Sequence, residues 1–152
     1  MKETPIIVVG VDETVSSQRA LRWAAAEAVL RQARLHVITA WTWEPVEGAA
    51  LAAVDPEAMR AVAEQTQDAA VRELLEELSP APEMRTEIVQ APAADALVEA
   101  SRGATLVVVG THGRGPVRSF LLGSVSQSVI RHADCPVVVM PPVHAAGERE
   151  MS

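Results

Sequence analysis

A glycine-rich segment from Gly110 to Ser126 contains the residues best suited to bind an anion. Gly113 and Gly115 can adopt positive φ angles, which lets backbone N–H groups approach a ligand closely. Gly123 and Ser124 then open a predicted helix, whose unpaired N–H groups and partial positive charge favour phosphate oxygens. The segment contains no carboxylate. It therefore has the chemistry of a polyphosphate cradle.

Four side chains could strengthen such a cradle. Arg114 and Arg118 can add positive charge, and Ser124 and Ser126 can add hydroxyl donors. A simpler interpretation is that the glycines mark ordinary turns and that Ser124 is a helix cap. The residues of this segment alone leave both interpretations open.

Asp12 lies in a second short loop, Gly10-Val11-Asp12, directly after an apolar run. It could bind a ribose or a water molecule around magnesium, or it could stabilise the turn into the first helix. Its place after a predicted buried strand favours the ligand role. We expect Mg²⁺ to be held mainly by phosphate oxygens and water, with no direct protein ligand.

The histidines and the cysteine do not form a recognisable metal site. His36, His132 and Cys135 lack the spacing of zinc ligands. His112 is expected to be an exposed loop residue, although it could contact phosphate. Cys135 precedes a proline at the start of a strand, which favours a packed, unreactive thiol.

The composition excludes several classes of function. The net charge of −7 argues against a nucleic-acid or membrane partner, because both need clustered positive charge. The single cysteine permits no internal disulfide, and we expect a cytoplasmic protein. Lys2 is the only lysine, and no P-loop motif occurs, so an ordinary P-loop NTPase is excluded.

Apolar, β-branched runs alternate with alanine-rich helical stretches along the chain. Five strands and four helices are predicted: strands at 5–11, 35–41, 84–90, 105–109 and 135–140, and helices from Ser16 or Ser17 to about 33, from Asp55-Pro56 to about 78, at 92–102 and at about 124–132. The alternation indicates an α/β fold, a doubly wound parallel sheet with helices on both faces. Residues 1–143 are predicted to form one domain and residues 144–152 a flexible tail.

The two site-like loops follow the first and fourth predicted strands. In an open parallel sheet, ligands bind beyond the carboxyl ends of the strands, where the strand order reverses. If these two strands are neighbours, the loops that begin at Gly10 and Gly110 face each other across that crevice.

The glycine spacing resembles the nucleotide-binding signature of the universal stress protein family. Gly110 and Gly113 are separated by two residues, and nine more precede Gly123-Ser124. The resemblance extends from Ile6 to Met140 and includes the Gly10-Val11-Asp12 loop and the ending that runs from His132 to Val139. The chain is similar to the members of the family that bind ATP.

The resemblance implies a Rossmann-like five-stranded sheet of order 3-2-1-4-5 with ATP in the reversal crevice. It places Gly10, Val11 and Asp12 on the adenosine side and Ala40 against the adenine. The residues that would hold the ribose and phosphates are Gly110, Thr111, His112, Gly113, Arg114, Gly115, Gly123, Ser124, Val125 and Ser126. One departure is Glu13-Thr14, where many members have a small residue and a serine.

The function expected from the resemblance is an ATP-dependent stress-response or signalling module with a protein partner that the sequence does not identify. The alternative is a slow ATPase or an adenylating enzyme, although no residue of the cradle is placed to activate water. A flavodoxin-like electron-transfer module would need aromatic stacking loops, which are not evident. The resemblance also implies a homodimer formed by the last strand, Pro136 to Met140, and pairing would protect this apolar edge.

Overall fold

In the computed structural model, residues 3–43, 55–111 and 122–141 are described. Strands and helices alternate along these residues. The elements are β1 (Ile6–Gly10), α1 (Val15–Arg31), β2 (Arg34–Trp41), α2 (Pro56–Glu77), β3 (Met84–Gln90), α3 (Ala93–Ser101), β4 (Leu106–Gly110), α4 (Ser124–His132) and β5 (Val137–Met140). None of the helices within these ranges is long and apolar enough to cross a membrane.

The strands form one sheet of order β3-β2-β1-β4-β5, and every neighbouring pair is parallel. The predicted fold class and strand order are therefore confirmed. The strand order reverses between β1 and β4, because the chain first builds outward through β2 and β3 and then returns to the other side of β1.

Helices cover both faces of the sheet. Apolar residues of α1 and α2 pack on one face, where Ile7 and Val9 of β1 are buried. Residues of α3 and α4 pack on the other face, where Val8 of β1 and Val107 of β4 are buried. Both central strands are thus buried on two sides, which explains why their sequences read as continuous apolar runs.

The first helix begins earlier than predicted. Its N-cap is Thr14, not Ser16 or Ser17, because Thr14 has an extended backbone and its hydroxyl oxygen accepts a hydrogen bond from the Ser17 N–H at 3.3 Å. Both serines are buried in the first turn. The second helix follows the prediction: the Asp55 side chain accepts from the Glu57 N–H at 3.0 Å, and Pro56 is the first helical residue.

Two contacts fix the helices on the face formed by α1 and α2. The end of β4 lies close to the first turn of α1, since a Cβ atom on Gly110 would lie 2.9 Å from the Ser16 backbone carbon. On the same face, the buried Gln67 amide of α2 donates to the Glu87 carbonyl of β3 at 2.9 Å and lies 3.3 Å from the Val37 carbonyl of β2. Gln67 therefore ties α2 to two adjacent strands.

Candidate functional site

A cleft lies at the carboxyl edge of the sheet, at the point where the strand order reverses. The cleft forms because β1 leads into α1 on one face, whereas β4 leads towards α4 on the other. The described residues that line it are Gly10, Val11, Asp12, Ser17, Ile38, Ala40, Ala93, Leu97, Val109, Gly110, Thr111, Gly123, Ser124, Val125 and Ser126.

Most of the residues predicted for the site line this one cleft. The predicted residues brought together there are Gly10, Val11, Asp12, Ala40, Gly110, Thr111, Gly123, Ser124, Val125 and Ser126. The other four, His112, Gly113, Arg114 and Gly115, lie outside the described residues. The structure brings the described parts of the two loops together in one cleft, and the binding role of each residue stays a prediction.

Five other lining residues were not predicted from the sequence. They are Ser17, Ile38, Ala93, Leu97 and Val109. Ile38 lies two positions before Ala40, and Val109 lies one position before Gly110. The ends of these strands were therefore predicted for the site, but the residues just before them were not. The signal for the other three was weak, because it consisted of a serine in the first helix and two apolar residues four positions apart in α3.

The loop after β1 is held by hydrogen bonds among its own residues. The Asp12 carboxylate oxygen Oδ1 accepts from the Thr14 N–H at 2.8 Å and from the Thr14 hydroxyl. The Asp12 N–H donates to Ser17 Oγ at 3.0 Å, and this hydroxyl lies 3.0 Å from the Asp12 carbonyl oxygen, to which it donates. Asp12 thus stabilises the turn into α1 while it also lines the cleft.

Thr111 joins three parts of the molecule at the other wall of the cleft. Its N–H and its hydroxyl both donate to the Met140 carbonyl at the end of β5, at 3.1 and 3.0 Å. Its own carbonyl accepts from the Gly123 N–H at 2.7 Å. The buried Ser126 hydroxyl lies 3.0 Å from the Gly123 carbonyl and 3.3 Å from that of Thr111. Its proton is directed at these main-chain oxygens, so Ser126 positions the start of α4.

The N-terminus of α4 opens into the cleft. Gly123 is its N-cap, with an extended backbone at φ −66° and ψ 166° and no side chain to cap the helix. The first turn contains no acidic residue, and Ser124, the first helical residue, lines the cleft. A helix start of this kind presents backbone N–H groups and a partial positive charge of roughly half a unit to an anion.

Apolar side chains form the remainder of the cleft. Ile38 and Ala40 come from the end of β2, and Ala93 and Leu97 come from the first turns of α3. Val125 of α4 lies on the same side of the sheet and packs against the same buried cluster. The cleft therefore combines a region of main-chain and hydroxyl groups with an apolar region that suits a flat ring.

The residues considered for metal or thiol chemistry lie away from the cleft lining. Within the described ranges, no group of three or more histidine, cysteine or acidic side chains could hold a metal ion. His36 Nε2 lies 2.7 Å from Glu87 Oε2 across β2 and β3. Burial raises the pKa of the half-buried Cys135 thiol, the charge of Asp134 raises it further, and a backbone hydrogen bond from Val107 acts in the opposite direction.

The profile of the universal stress protein family matches residues 4–141. The chain belongs to this family. Among its relatives, a universal stress protein of Mycobacterium tuberculosis is 35% identical over 141 residues, covering 88% of this chain and 46% of the relative. A universal stress protein of Mycolicibacterium smegmatis is 38% identical over 141 residues, covering 88% and 47%. The chain thus spans about half the length of these mycobacterial relatives.

Solved universal stress proteins share the fold. UspA from Lactobacillus plantarum superposes with a TM-score of 0.76 at 26% identity, covering 92% of this chain and 99% of that one. The protein from Archaeoglobus fulgidus in complex with dAMP has a TM-score of 0.63 at 26% identity, covering 92% and 99%. Another universal stress protein, in complex with cAMP, has a TM-score of 0.60 at 28% identity, covering 93% and 100%.

Proposed function

We propose that this universal stress protein binds ATP in the cleft between β1 and β4 and acts as a nucleotide-dependent stress-response module. The observation that carries the proposal is the N-terminus of α4, which has no side-chain cap and opens beside Gly10 and Gly110 into a cleft with an apolar end. Two structural neighbours contain adenine nucleotides, dAMP in one and cAMP in the other. An adenine nucleotide is therefore the ligand class that the cleft fits best.

In the proposed complex, each end of the nucleotide meets matching chemistry. The adenine lies in the apolar region beside Ala40, and the ribose lies near Asp12. The phosphates lie at the N-terminus of α4, where Ser124 and the backbone N–H groups donate to them. Gly110, Gly113 and Gly123 would give this chain the glycine spacing of the family members that bind ATP. Mg²⁺ would be bound through phosphate oxygens and water, with Asp12 as a water-mediated contact.

We propose that the module retains ATP and does not turn it over rapidly. Among the described residues that line the cleft, Asp12 is the one carboxylate, and its Oδ1 accepts two hydrogen bonds from Thr14. A carboxylate engaged in this way is a poor general base for activating water. The alternative, a slow ATPase or an adenylating enzyme, predicts multiple turnovers of ATP in the presence of Mg²⁺.

We also propose a homodimer formed through β5, acting in the cytoplasm with a further protein partner. β5 is an edge strand of the sheet, and its four residues, Val137–Met140, are only partly buried. An apolar edge strand is a template for pairing, and a twofold-related copy of the same strand satisfies it. The cytoplasmic location is supported by a composition with a single cysteine.

The cap position of α4 offers a sharp test of the nucleotide site. We expect Gly123→Asp to weaken ATP binding at least tenfold more than Gly123→Asn does, measured by isothermal titration calorimetry. Asp and Asn are both good N-cap residues and both occupy the same helix N–H groups, so only the Asp variant adds a negative charge beside the phosphates. Thermal unfolding of the two variants controls for folding.

Native mass spectrometry of the freshly purified protein complements the titration. Co-purified ATP that persists with Mg²⁺ supports a binding module, and rapid release of phosphate over many turnovers supports the enzyme. Equal ATP affinities for the Gly123→Asp and Gly123→Asn variants would show that the phosphates do not bind at the N-terminus of α4. A wild-type protein that binds no adenine nucleotide would overturn the proposed function itself.

A further inference from the structure

Leu97 is the bulky side chain that α3 contributes to the cleft. Among the described residues, α3 lines the cleft with Ala93 and Leu97, four positions apart and hence on one face of the helix. Leu97 is only 3% exposed and belongs to the buried cluster that includes Ile38 and Val109. Core packing on one side therefore fixes a leucine whose other side borders the cleft.

Leu97 also lies directly against the end of β1. A Cβ atom placed on Gly10 would be 2.9 Å from Leu97 Cδ1 and 3.3 Å from Cδ2. Real Cβ atoms do not approach another carbon to 2.9 Å, so a side chain at position 10 would force the leucine to move. Gly10 and Leu97 both line the cleft, so an added methyl group and the shifted leucine would both take up space at this end of it.

We infer that Leu97 and Gly10 form a matched pair that sets the width of the base-binding end of the cleft, with Leu97 as a specificity-determining residue. The inference rests on the proposed function and extends it. The apolar end is lined by Ile38, Ala40 and Leu97, whose side chains have no hydrogen-bonding groups. Among the described residues, side chains at this end can therefore select a ring by its size and shape, whereas hydrogen bonding comes from the main chain.

The pair makes a specific prediction for three variants. Gly10→Ala should weaken ATP binding at least tenfold, because the displaced Leu97 narrows the slot for the base. Leu97→Val alone should have a smaller effect, since it removes one methylene from the wall of the cleft. The double variant Gly10→Ala/Leu97→Val should bind ATP more tightly than Gly10→Ala, because the shorter side chain makes room for the new methyl group.

Inorganic triphosphate serves as the control ligand, since it has no base. Its affinity for each variant, measured by calorimetry beside that of ATP, should stay within about threefold of the wild-type value. Thermal unfolding of each variant reports any general loss of structure. A merely structural pair would change stability without changing the ratio of ATP to triphosphate affinity.

Three results would decide against the inference. Additive effects of the two substitutions on ATP affinity would show that the residues do not act together. Equal losses of affinity for ATP and for triphosphate would show that the substitutions do not act on the base. Both results would leave the proposed function intact if wild-type protein binds ATP, whereas a wild-type protein with no affinity for ATP would overturn both proposals.

Discussion

At Gly110 the end of β4 packs closely against the first turn of α1. A Cβ atom there would lie 2.9 Å from both the backbone carbon and the Cβ atom of Ser16. The glycine therefore permits close packing of a helix against the end of a strand, whatever the ligand in the cleft. This contact gives Gly110 a structural role in addition to its proposed part in the nucleotide signature.

We expect Gly110→Ala to lower the free energy of unfolding by about 2 kcal/mol, the usual cost of inserting an atom into a well-packed site. Urea denaturation measures the change. Ser16→Gly removes the Cβ atom that the new methyl group would meet, so the double variant should lose less stability than the sum of the two single variants. Strict additivity would mean that the methyl group meets no resistance from the Ser16 side chain.

The raised pKa of the Cys135 thiol gives a prediction for the pH dependence of its alkylation. Burial and the Asp134 charge raise the pKa of its thiol in the folded protein. The thiolate reacts with iodoacetamide, so the pH–rate profile for alkylation should have a higher midpoint in native protein than in urea-unfolded protein. Cys135 is the only cysteine, so the labelling reports on one site. Coincident midpoints would contradict the raised pKa.

The same shift has a defined effect on stability. A proton held more tightly in the folded state stabilises it as long as the thiol is protonated in both states. This contribution is therefore fully present below the pKa of the unfolded thiol. It is lost as the pH rises through the higher pKa of the folded protein.

At the scale of elements, β5 has one paired edge and one edge that no described strand covers. The Val107 N–H donates to the Pro136 carbonyl, and the Thr111 N–H donates to the Met140 carbonyl. In a parallel ladder alternate residues face the same neighbour, so Val138 also faces β4. The N–H groups of Val137 and Val139 therefore point to the outer edge.

We expect Val139→Pro to convert a β5-paired dimer into monomers, since it removes an outward N–H and leaves the inner ladder intact. Analytical ultracentrifugation measures the mass. The matched control, Val138→Pro, removes an inward N–H and should instead destabilise the fold. If the Val139→Pro variant is still a dimer, the interface does not involve the outer edge of β5. If the wild-type protein is a monomer, the proposed homodimer is wrong.

Element types were predicted from sequence more securely than element boundaries. The start of α2 was predicted at Asp55-Pro56 because capping and proline chemistry are local, and the structure agrees. The start of α1 was misplaced because Thr14, Ser16 and Ser17 are all plausible caps, and only the backbone angles identify Thr14. β5 begins at Val137 and not at Cys135, since Pro136 has no N–H for the ladder.

At the scale of the whole molecule, the fold followed from the alternation of apolar runs and helices, and the strand order followed from the resemblance to the family. The polar half of the cleft was predictable too, because Gly10, Asp12 and Gly123 have recognisable local patterns. The apolar half was predicted only in part: Ala40 came from the resemblance to the family, whereas Leu97 was missed because it lies on α3 and reaches the cleft only through the packing of that helix beside β1. Tertiary contacts of this kind leave no local signal.

The hydrogen bond between the Gly123 N–H and the Thr111 carbonyl joins the two ends of the segment 112–122. Thr111 is in turn fastened to β5, so both attachment points belong to the rigid sheet and to α4. Doubling the length of a segment with fixed ends costs only about 0.6 kcal/mol in closure entropy. Changes in the length of the stretch between Thr111 and Gly123 should therefore cost little free energy of unfolding, because the groups that hold its two ends together lie outside it.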